Sequence, residues 1–330
     1  MLDELIATLR SALSILHKQD IQTAANALGQ SVLGPAVQGT GAEGADEQIR
    51  LGDDCAAIAD GEGYLLLAAE GIWPQLVAQD PWFAGWCAVM VNVSDIAAMG
   101  GVPTAIVDAL WSPSVEASEP LWAGMTAAAQ AYGVPIVGGH TNCHSPYAGL
   151  AVSILGRAQR LITSFDAQSG DSLVMVVNMA GAYYGDYPFW NAATEADVGV
   201  LRSHIGLLPQ LAELGLVNVG KDISMGGLAG TLLMLAEASG CGAVLDLDRV
   251  PRPVGVAWDK WLTSFPSFGF LLSVPQAQVS AVKSVFQSEG LVCEAVGEVI
   301  SERCVYLQLD GEKQLLWDLS EALTGFSQSL

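Results

Sequence analysis

The stretch that decides the fold runs from Arg50 to Pro103 and reads RLGDDCAAIADGEGYLLLAAEGIWPQLVAQDPWFAGWCAVMVNVSDIAAMGGVP. It places acidic residues beside apolar segments at three points: the pair Asp53-Asp54, Glu70 at the end of an apolar run, and Asp95 inside another. A carboxylate among buried residues is costly unless a cation or hydrogen-bond donors satisfy it. The stretch therefore predicts a metal site.

A local interpretation of the same acids stays open at this point. Asp53 and Asp54 follow Gly52 and are typical of a turn, and Ser94 and Asp95 are typical helix-capping residues. Each of these features is common by itself, so the metal site depends on whether the three points come together in the fold.

Length and charge restrict the kind of protein. The chain has 330 residues, which is long for one hydrophobic core and favours two domains. Thirteen Lys and Arg residues oppose thirty-five Asp and Glu residues, for a net charge of −22. Such a field repels nucleic acid, since binding to a phosphodiester backbone draws on basic side chains. No nucleic-acid partner is expected.

The scarcity of lysine restricts how a nucleotide is bound. Lys18 is the only lysine before Lys221. A triphosphate in the first half of the chain would therefore be neutralised mainly by Mg²⁺ that bridges to protein carboxylates.

Cysteine spacing and the apolar runs bear on location. The six cysteines are scattered and form no CxxC pair, so reduced thiols are expected. The N-terminal segment lacks the features of a signal peptide, and no run reaches the 18 apolar residues of a membrane span. The sequence predicts a cytoplasmic protein with no membrane partner.

Periodicity predicts strands and helices in both halves of the chain, hence a mixed α/β fold with domains at residues 1–158 and 165–330. An amphipathic helix is expected over residues 2–16 and a glycine-rich loop over 29–48. Further helices are expected at 81–99 and 121–132, and a short strand at 216–219.

Two motifs resemble known binding sites but match them incompletely. The segment Gly215–Lys221 fits the first seven positions of a Walker loop, but Asp222 stands where Ser or Thr binds Mg²⁺, so we reject it. His140, Cys143 and His144 resemble a zinc cluster that lacks a fourth ligand. Structural zinc or metal storage at these residues stays open as an alternative.

Four motifs in the same order resemble the aminoimidazole ribonucleotide (AIR) synthase superfamily. They are Gly-Asp-Asp at 52–54, Asn-Val-Ser-Asp-Ile-Ala-Ala-Met-Gly at 92–100, Gly-Gly-His-Thr at 138–141 and Asp-Ile-Ser-Met-Gly-Gly-Leu at 222–228. This superfamily includes thiamine-monophosphate kinase, selenophosphate synthetase and the carbamoyl-dehydrating hydrogenase-maturation enzyme. The similarity extends from about residue 50 to about residue 300.

The resemblance implies a two-domain AIR synthase-like fold. Its N-terminal domain forms a β-barrel core with the same domain of a second copy, giving a homodimer, and its C-terminal domain is α/β. ATP and Mg²⁺ are the implied cofactors, and a small molecule is the implied substrate. The implied metal-binding residues are Asp53, Asp54, Glu70, Asp95 and Asp222. The implied nucleotide-binding residues are Asn92, Gly139, His140, Thr141 and Ser224; no catalytic residue is identified.

The departures from the family motifs concern the small molecule that would accept the phosphate. Met225 stands where the kinase motif has a carboxylate, and residues 266–270 lack the acids of the kinase's substrate segment. Residues 29–49 contain neither the Cys nor the Lys of selenophosphate synthetases, and the chain ends without the Cys of the hydrogenase enzyme.

Phosphoryl transfer to, or activation of, a small molecule is the expected function, most similar to that of thiamine-monophosphate kinase. This chemistry needs positioning and charge neutralisation more than a covalent nucleophile, which suits a site rich in carboxylates and poor in lysine. The alternatives are a non-catalytic nucleotide-binding or scaffold protein and a selenophosphate synthetase-like activity.

Overall fold

A computed structural model describes residues 1–33 and 48–327. The helices are α1 (Leu2–Ser11), α2 (Leu13–Leu16), α3 (Gln22–Leu28), α4 (Pro74–Gln79), α5 (Pro81–Ala98), α6 (Val115–Tyr132), α7 (Val198–Glu213), α8 (Gly227–Ser239), α9 (Trp258–Leu262) and α10 (Val279–Ser288). The strands are β1 (Ser31–Leu33), β2 (Gln48–Arg50), β3 (Ala56–Asp60), β4 (Gly63–Gly71), β5 (Val102–Trp111), β6 (Ile136–Asn142), β7 (Gly149–Ala158), β8 (Ser172–Val177), β9 (Ala182–Tyr183), β10 (Phe189–Asn191), β11 (Val219–Asp222), β12 (Gly242–Asp246), β13 (Phe265–Pro266), β14 (Gly269–Val274), β15 (Val292–Ile300), β16 (Cys304–Leu309) and β17 (Glu312–Asp318).

These elements form two compact units, which confirms the mixed α/β fold. Unit 1 comprises Met1–Asp53, Leu161–Ala192 and Leu211–Leu330, and unit 2 comprises Asp54–Arg160 and Ala193–Gln210. The N-terminal helices therefore group with the C-terminal part of the chain. The domain bounds at 1–158 and 165–330 and the β-barrel core stay predictions. In the described chain, no helix is both long and apolar enough to span a membrane.

Unit 1 is built on a seven-stranded sheet with the strand order β11-β14-β8-β15-β12-β16-β17. Strand β14 is buried along its whole length, and β8 is buried except for its first residue. Strands covered on both faces read as continuous apolar runs, which is why these two are evident in the sequence. A three-stranded sheet, β13-β10-β9, and the pair β1-β2 complete the strands of this unit.

The N-terminal segment of unit 1 corrects two predictions. The helix expected over residues 2–16 breaks at Ala12, whose ψ of 118° is extended. This break exposes Leu13 and buries Ile15, the reverse of what one continuous helix predicts. Within the predicted loop, residues 31–33 instead form β1 and pair antiparallel with β2. Residues 34–47 of that loop lie outside the described part of the chain.

Unit 2 is a five-stranded sheet with the order β3-β4-β7-β5-β6, and α5 packs on it. Strands β5 and β6 are parallel and are connected by α6. This helix begins at Val115 rather than at residue 121, because the Ser114 hydroxyl accepts a hydrogen bond from the Ala117 amide and Pro120 is tolerated inside the helix. It ends at Gly133 in the left-handed conformation, as expected for a C-terminal glycine.

A buried carboxylate fixes the C-terminal segment of unit 1. Glu237 lies inside α8 with 1% of its surface exposed. It accepts hydrogen bonds from the backbone amides of Leu323 and Thr324, both at 2.8 Å, from the Thr324 hydroxyl at 2.6 Å, and from the Gly325 amide at 3.3 Å. Four donors make an ionised carboxylate tolerable inside the protein.

Glu237→Gln is expected to destabilise unit 1 by about 1–3 kcal/mol, since an amide NH₂ would face backbone donors and leave them unsatisfied. Urea denaturation followed by circular dichroism measures the effect. Glu213→Gln, at an exposed position in α7, is the matched control and should change little. Equal stability of both variants would contradict a structural role for Glu237.

Candidate functional site

Helix α5 supports the acidic site of unit 2. Its first turn is capped by Asp80, whose side chain accepts a hydrogen bond from the Phe83 amide at 3.2 Å, and Pro81 occupies the first helical position. From Phe83 to Ala98 every residue is buried. A helix buried all round has little freedom to move, so the polar side chains that it carries are held in fixed positions.

Two such side chains were predicted as site residues. Asn92 is fully buried and donates from Nδ2 to the Ala88 carbonyl at 2.8 Å, while its Oδ1 receives no hydrogen bond from the described residues. Asp95 is 6% exposed and lies in the last turn of α5. The negative end of the helix dipole disfavours an anion there. The local interpretation of Asp95 as a helix cap is wrong, because α5 begins fourteen residues earlier at Pro81.

A second carboxylate approaches Asp95. One carboxylate oxygen of Asp54 and one of Asp95 lie within 4.8 Å of one another. Two ionised carboxylates at that distance repel by about 3 kcal/mol at an effective dielectric constant of about 20. Closely spaced oxygen donors on partly buried acids are the ligands that Mg²⁺ and Ca²⁺ prefer. The residues therefore fit a divalent cation.

Asp53 has a different environment from Asp54. It belongs to unit 1, where it accepts hydrogen bonds from the Ser164 amide at 2.9 Å and from the Ser164 hydroxyl at 2.6 Å. Ser164 is fully buried. Asp53 thus anchors the loop to unit 1, and its predicted metal-binding role stays a prediction.

The residues before Asp53 are also tightly held in unit 1. Gly52 has a φ of 99°, and a Cβ there would lie 2.4 Å from Cβ of Phe326, so only glycine fits. The guanidinium of Arg50 lies 3.9 Å above the Phe165 ring and forms an ion pair with Asp166 at 3.3 Å. Gly52 thus lies against the C-terminal segment, and Arg50 lies against residues 165 and 166 of the same unit.

Asp222 ends strand β11 in unit 1 and is 3% exposed. Its carbonyl accepts a hydrogen bond from the Thr231 hydroxyl of α8 at 3.0 Å. The strand predicted at 216–219 is wrong by three residues, because pairing with β14 begins at Val219. The shift places Asp222 within the sheet, at the carboxyl end of β11.

A glycine turn follows Asp222 and leads into α8. Gly226 has a φ of 100° and Gly227 a φ of 63°, and a Cβ at Gly227 would lie 2.4 Å from the Leu262 carbonyl. Ser224, a predicted nucleotide-binding residue, is partly exposed just before this turn. Both positions require glycine, because the backbone between Ser224 and α8 adopts positive φ angles there.

The remaining predicted residues of unit 2 are exposed. Glu70 lies on β4 and does not join Asp54 and Asp95 within 4.8 Å. Gly139, His140 and Thr141 lie on β6, the edge strand of the five-stranded sheet. An exposed edge strand offers its backbone and side chains to a ligand.

Asp108, a buried carboxylate on β5, was not among the predicted site residues. It is 6% exposed, and desolvation raises its pKa above the ordinary range, while its own backbone amide and His140 oppose that shift. The available signal was an acid at the centre of the apolar run Thr104–Trp111, at a position where the alternation expects a core residue.

The zinc alternative gains nothing from the geometry. Within the described ranges, the groups of side chains close enough to share a metal ion do not include His140, Cys143 or His144. The thiol of Cys143 instead donates weakly to the Ser118 hydroxyl at 3.9 Å.

Asp54→Asn is expected to weaken divalent-cation binding, since it removes one of two adjacent carboxylates. The increase in melting temperature produced by Mn²⁺ should shrink, while the metal-free protein should be at least as stable as wild type because the repulsion with Asp95 is gone. Differential scanning fluorimetry with and without Mn²⁺ measures both effects. An unchanged response to Mn²⁺ would exclude Asp54 as a ligand.

Comparison with known proteins shows similarity over most of the chain. An uncharacterized protein of Synechocystis sp. is 55% identical over 329 residues, 99% of this chain and 99% of that protein. Thiamine-monophosphate kinase of Synechococcus elongatus is 26% identical over 298 residues, covering 80% of this chain and 88% of the kinase. The structure of T. maritima PurL complexed with ATP matches with a TM-score of 0.67 and 19% identity, over 84% of this chain and 47% of PurL. The present chain thus spans about half the length of PurL, and this likeness concerns the fold alone.

Family models match both halves of the sequence. Residues 52–158 match the AIR synthase related protein, N-terminal domain, and residues 168–310 match the AIR synthase related protein, C-terminal domain. The two matches together cover most of the 330 residues. The chain carries both domains in the family's order and belongs to the AIR synthase related family.

Proposed function

We propose that this protein is an ATP- and Mg²⁺-dependent enzyme that phosphorylates or activates a small molecule, with thiamine-monophosphate kinase as its functional model. The observation that carries the proposal is the close approach of the Asp54 and Asp95 carboxylates, one of them on a fully buried helix. A family member with acids held together against their repulsion is built to receive a cation.

The proposed metal-binding residues are those that the family resemblance implies. Asp54 and Asp95 hold a divalent ion, and Asp222, Glu70 and Asp53 are the other predicted ligands. Bound Mg²⁺ neutralises phosphate oxygens during phosphoryl transfer. Asp222 and Asp95 are both almost fully buried, so their carboxylates are held in place before the ligand arrives.

Strand β6 and its neighbours bind the nucleotide in this proposal. Gly139 has no side chain and is exposed, so a phosphate can approach the backbone, and His140 and Thr141 offer side-chain donors. Asn92 supports the same ligand, and Ser224 stays a predicted nucleotide-binding residue. Unit 2 contains no lysine and only the arginines Arg157, Arg160 and Arg202. The species that binds is therefore the Mg²⁺ complex of ATP, whose charge is already reduced.

A second copy of the chain is the proposed partner. One face of the unit 2 sheet exposes Leu67, Leu155 and Val107, which lie on the neighbouring strands β4, β7 and β5. On the other face, Leu66 and Ile106 are fully buried beneath the helices. A row of exposed aliphatic residues across three central strands favours an interface. We propose that two such sheets face one another and form the β-barrel core of a homodimer.

Asp95→Ala is expected to lower ATP turnover by about 100-fold or more, since a metal ligand and its charge stabilisation are lost. ADP release is measured with Mg²⁺-ATP and a panel of small-molecule acceptors that includes thiamine monophosphate. Asp186→Asn, at an exposed loop position, is the control and should retain activity. Equal turnover in wild type and Asp95→Ala would reject the proposal.

A non-catalytic nucleotide-binding protein is the second candidate, because Met225 replaces the carboxylate of the kinase motif. In that case Mg²⁺-ATP raises the melting temperature but no acceptor produces ADP above background. Selenophosphate synthetase-like activity has less support, since residues 29–49 lack both Cys and Lys.

Val107→Asp is expected to convert the dimer to a monomer, because it places an unpaired charge in the proposed interface. Sedimentation equilibrium measures the mass. Val254→Asp, at a fully exposed position in unit 1, is the matched control and should leave the dimer intact. A wild-type protein that sediments as a monomer would contradict the proposed homodimer.

A further inference from the structure

Asp108 occupies a core position of the unit 2 sheet. It lies on β5, which is flanked by β7 and β6, and its register partners are Val152 on β7 and Gly139 on β6. The residues two positions away on the same strand, Ile106 and Leu110, are fully buried. A charged carboxylate between two buried aliphatic residues is unfavourable, so Asp108 must either bind a ligand or be protonated.

The carboxylate of Asp108 is not satisfied by the protein. Both of its oxygens are buried, and neither accepts a hydrogen bond from another described residue. The buried Glu237 accepts four hydrogen bonds, and Asp53 accepts two from Ser164 alone. A buried ionised carboxylate without donors is strongly unfavourable unless a cation compensates it.

Gly139 on the neighbouring strand leaves room for this carboxylate. A Cβ at Gly139 would lie 2.1 Å from Oδ1 of Asp108, so any side chain at residue 139 would occupy the space of the carboxylate. Gly139 itself is exposed, although the Asp108 oxygens are not. The Asp108 carboxylate therefore lies directly against the backbone of an exposed residue on this strand.

We propose that Asp108 is a further cation-binding residue, which holds a divalent ion that arrives with the nucleotide phosphates at Gly139 and His140. This inference rests on the proposed function. A Mg²⁺ ion that is delivered with the nucleotide would bind an Asp108 oxygen at about 2.1 Å, and phosphate oxygens and water would be its other ligands. The ion supplies the compensating charge that the described residues do not.

Asp108→Asn tests the proposal with a side chain of the same size. Titration calorimetry measures Mn²⁺ binding in the presence of a non-hydrolysable ATP analogue, and fluorimetry measures the melting temperature without metal. We expect at least about a tenfold loss of Mn²⁺ affinity, together with an unchanged or higher metal-free melting temperature because a buried charge is removed. Asp60→Asn, at the exposed end of β3, is the control.

Gly139→Ala provides a second variant, since its Cβ would lie 2.1 Å from Oδ1 and 2.6 Å from the backbone carbonyl oxygen of Asp108 and would displace the carboxylate without removing it. The same loss of Mn²⁺ affinity is expected, so the proposal stays testable if Asp108→Asn does not fold. Wild-type Mn²⁺ affinity in both variants would overturn it. An equal loss of nucleotide affinity with and without Mn²⁺ would also overturn it, because Asp108 would then act through His140 rather than through a metal ion.

Asp95→Ala separates this inference from the proposed function. If Asp95→Ala abolishes nucleotide-dependent Mn²⁺ binding and Asp108→Asn leaves it unchanged, the proposed function stands and Asp108 has no part in it. If neither variant changes Mn²⁺ binding, the proposed function fails and the inference fails with it.

Discussion

The free energy of a carboxylate that is removed from water controls the organisation of this protein. Glu237 shows the structural solution, in which four donors of the C-terminal segment surround one anion. Asp95 and Asp54 show the opposite arrangement, in which two anions are brought together. Packing along the buried helix α5 holds Asp95 in place, and a divalent cation would compensate the two neighbouring charges.

The Gly52–Asp54 motif has two distinct tasks that its sequence does not distinguish. Asp53 is bound by Ser164 in unit 1, and Asp54 begins unit 2 and approaches Asp95. Gly52 provides the backbone conformation and the space for Phe326. Asp53 therefore anchors the loop in unit 1, while its neighbour Asp54 approaches Asp95.

Helices and strands that are determined by neighbouring residues in the sequence were predicted correctly. Helix α5 was predicted to within one residue because Pro81 begins it and an unbroken apolar run follows. The break at Ala12 was missed because the apolar spacing continues through it and only packing selects Ile15 over Leu13. The start of β11 was misplaced because strand bounds depend on pairing with β14, a partner distant in sequence. Asp108 was missed for a similar reason, since its significance lies in its register with Gly139 rather than in its neighbours along the chain.

Unit 2 has only three arginines and no lysine that could attract a polyanion. Of its three arginines, Arg157 forms an ion pair with Asp60 at 3.1 Å, and Arg202 donates to the carbonyls of Gln130 and Ala131 at the end of α6. Those contacts occupy two of the three cationic side chains with structural tasks. In unit 1, residues 268–270 lie in the core and include no charged group. Unit 2 therefore has few cationic side chains available for a polyanion, which is why the proposed function assigns charge neutralisation to divalent ions.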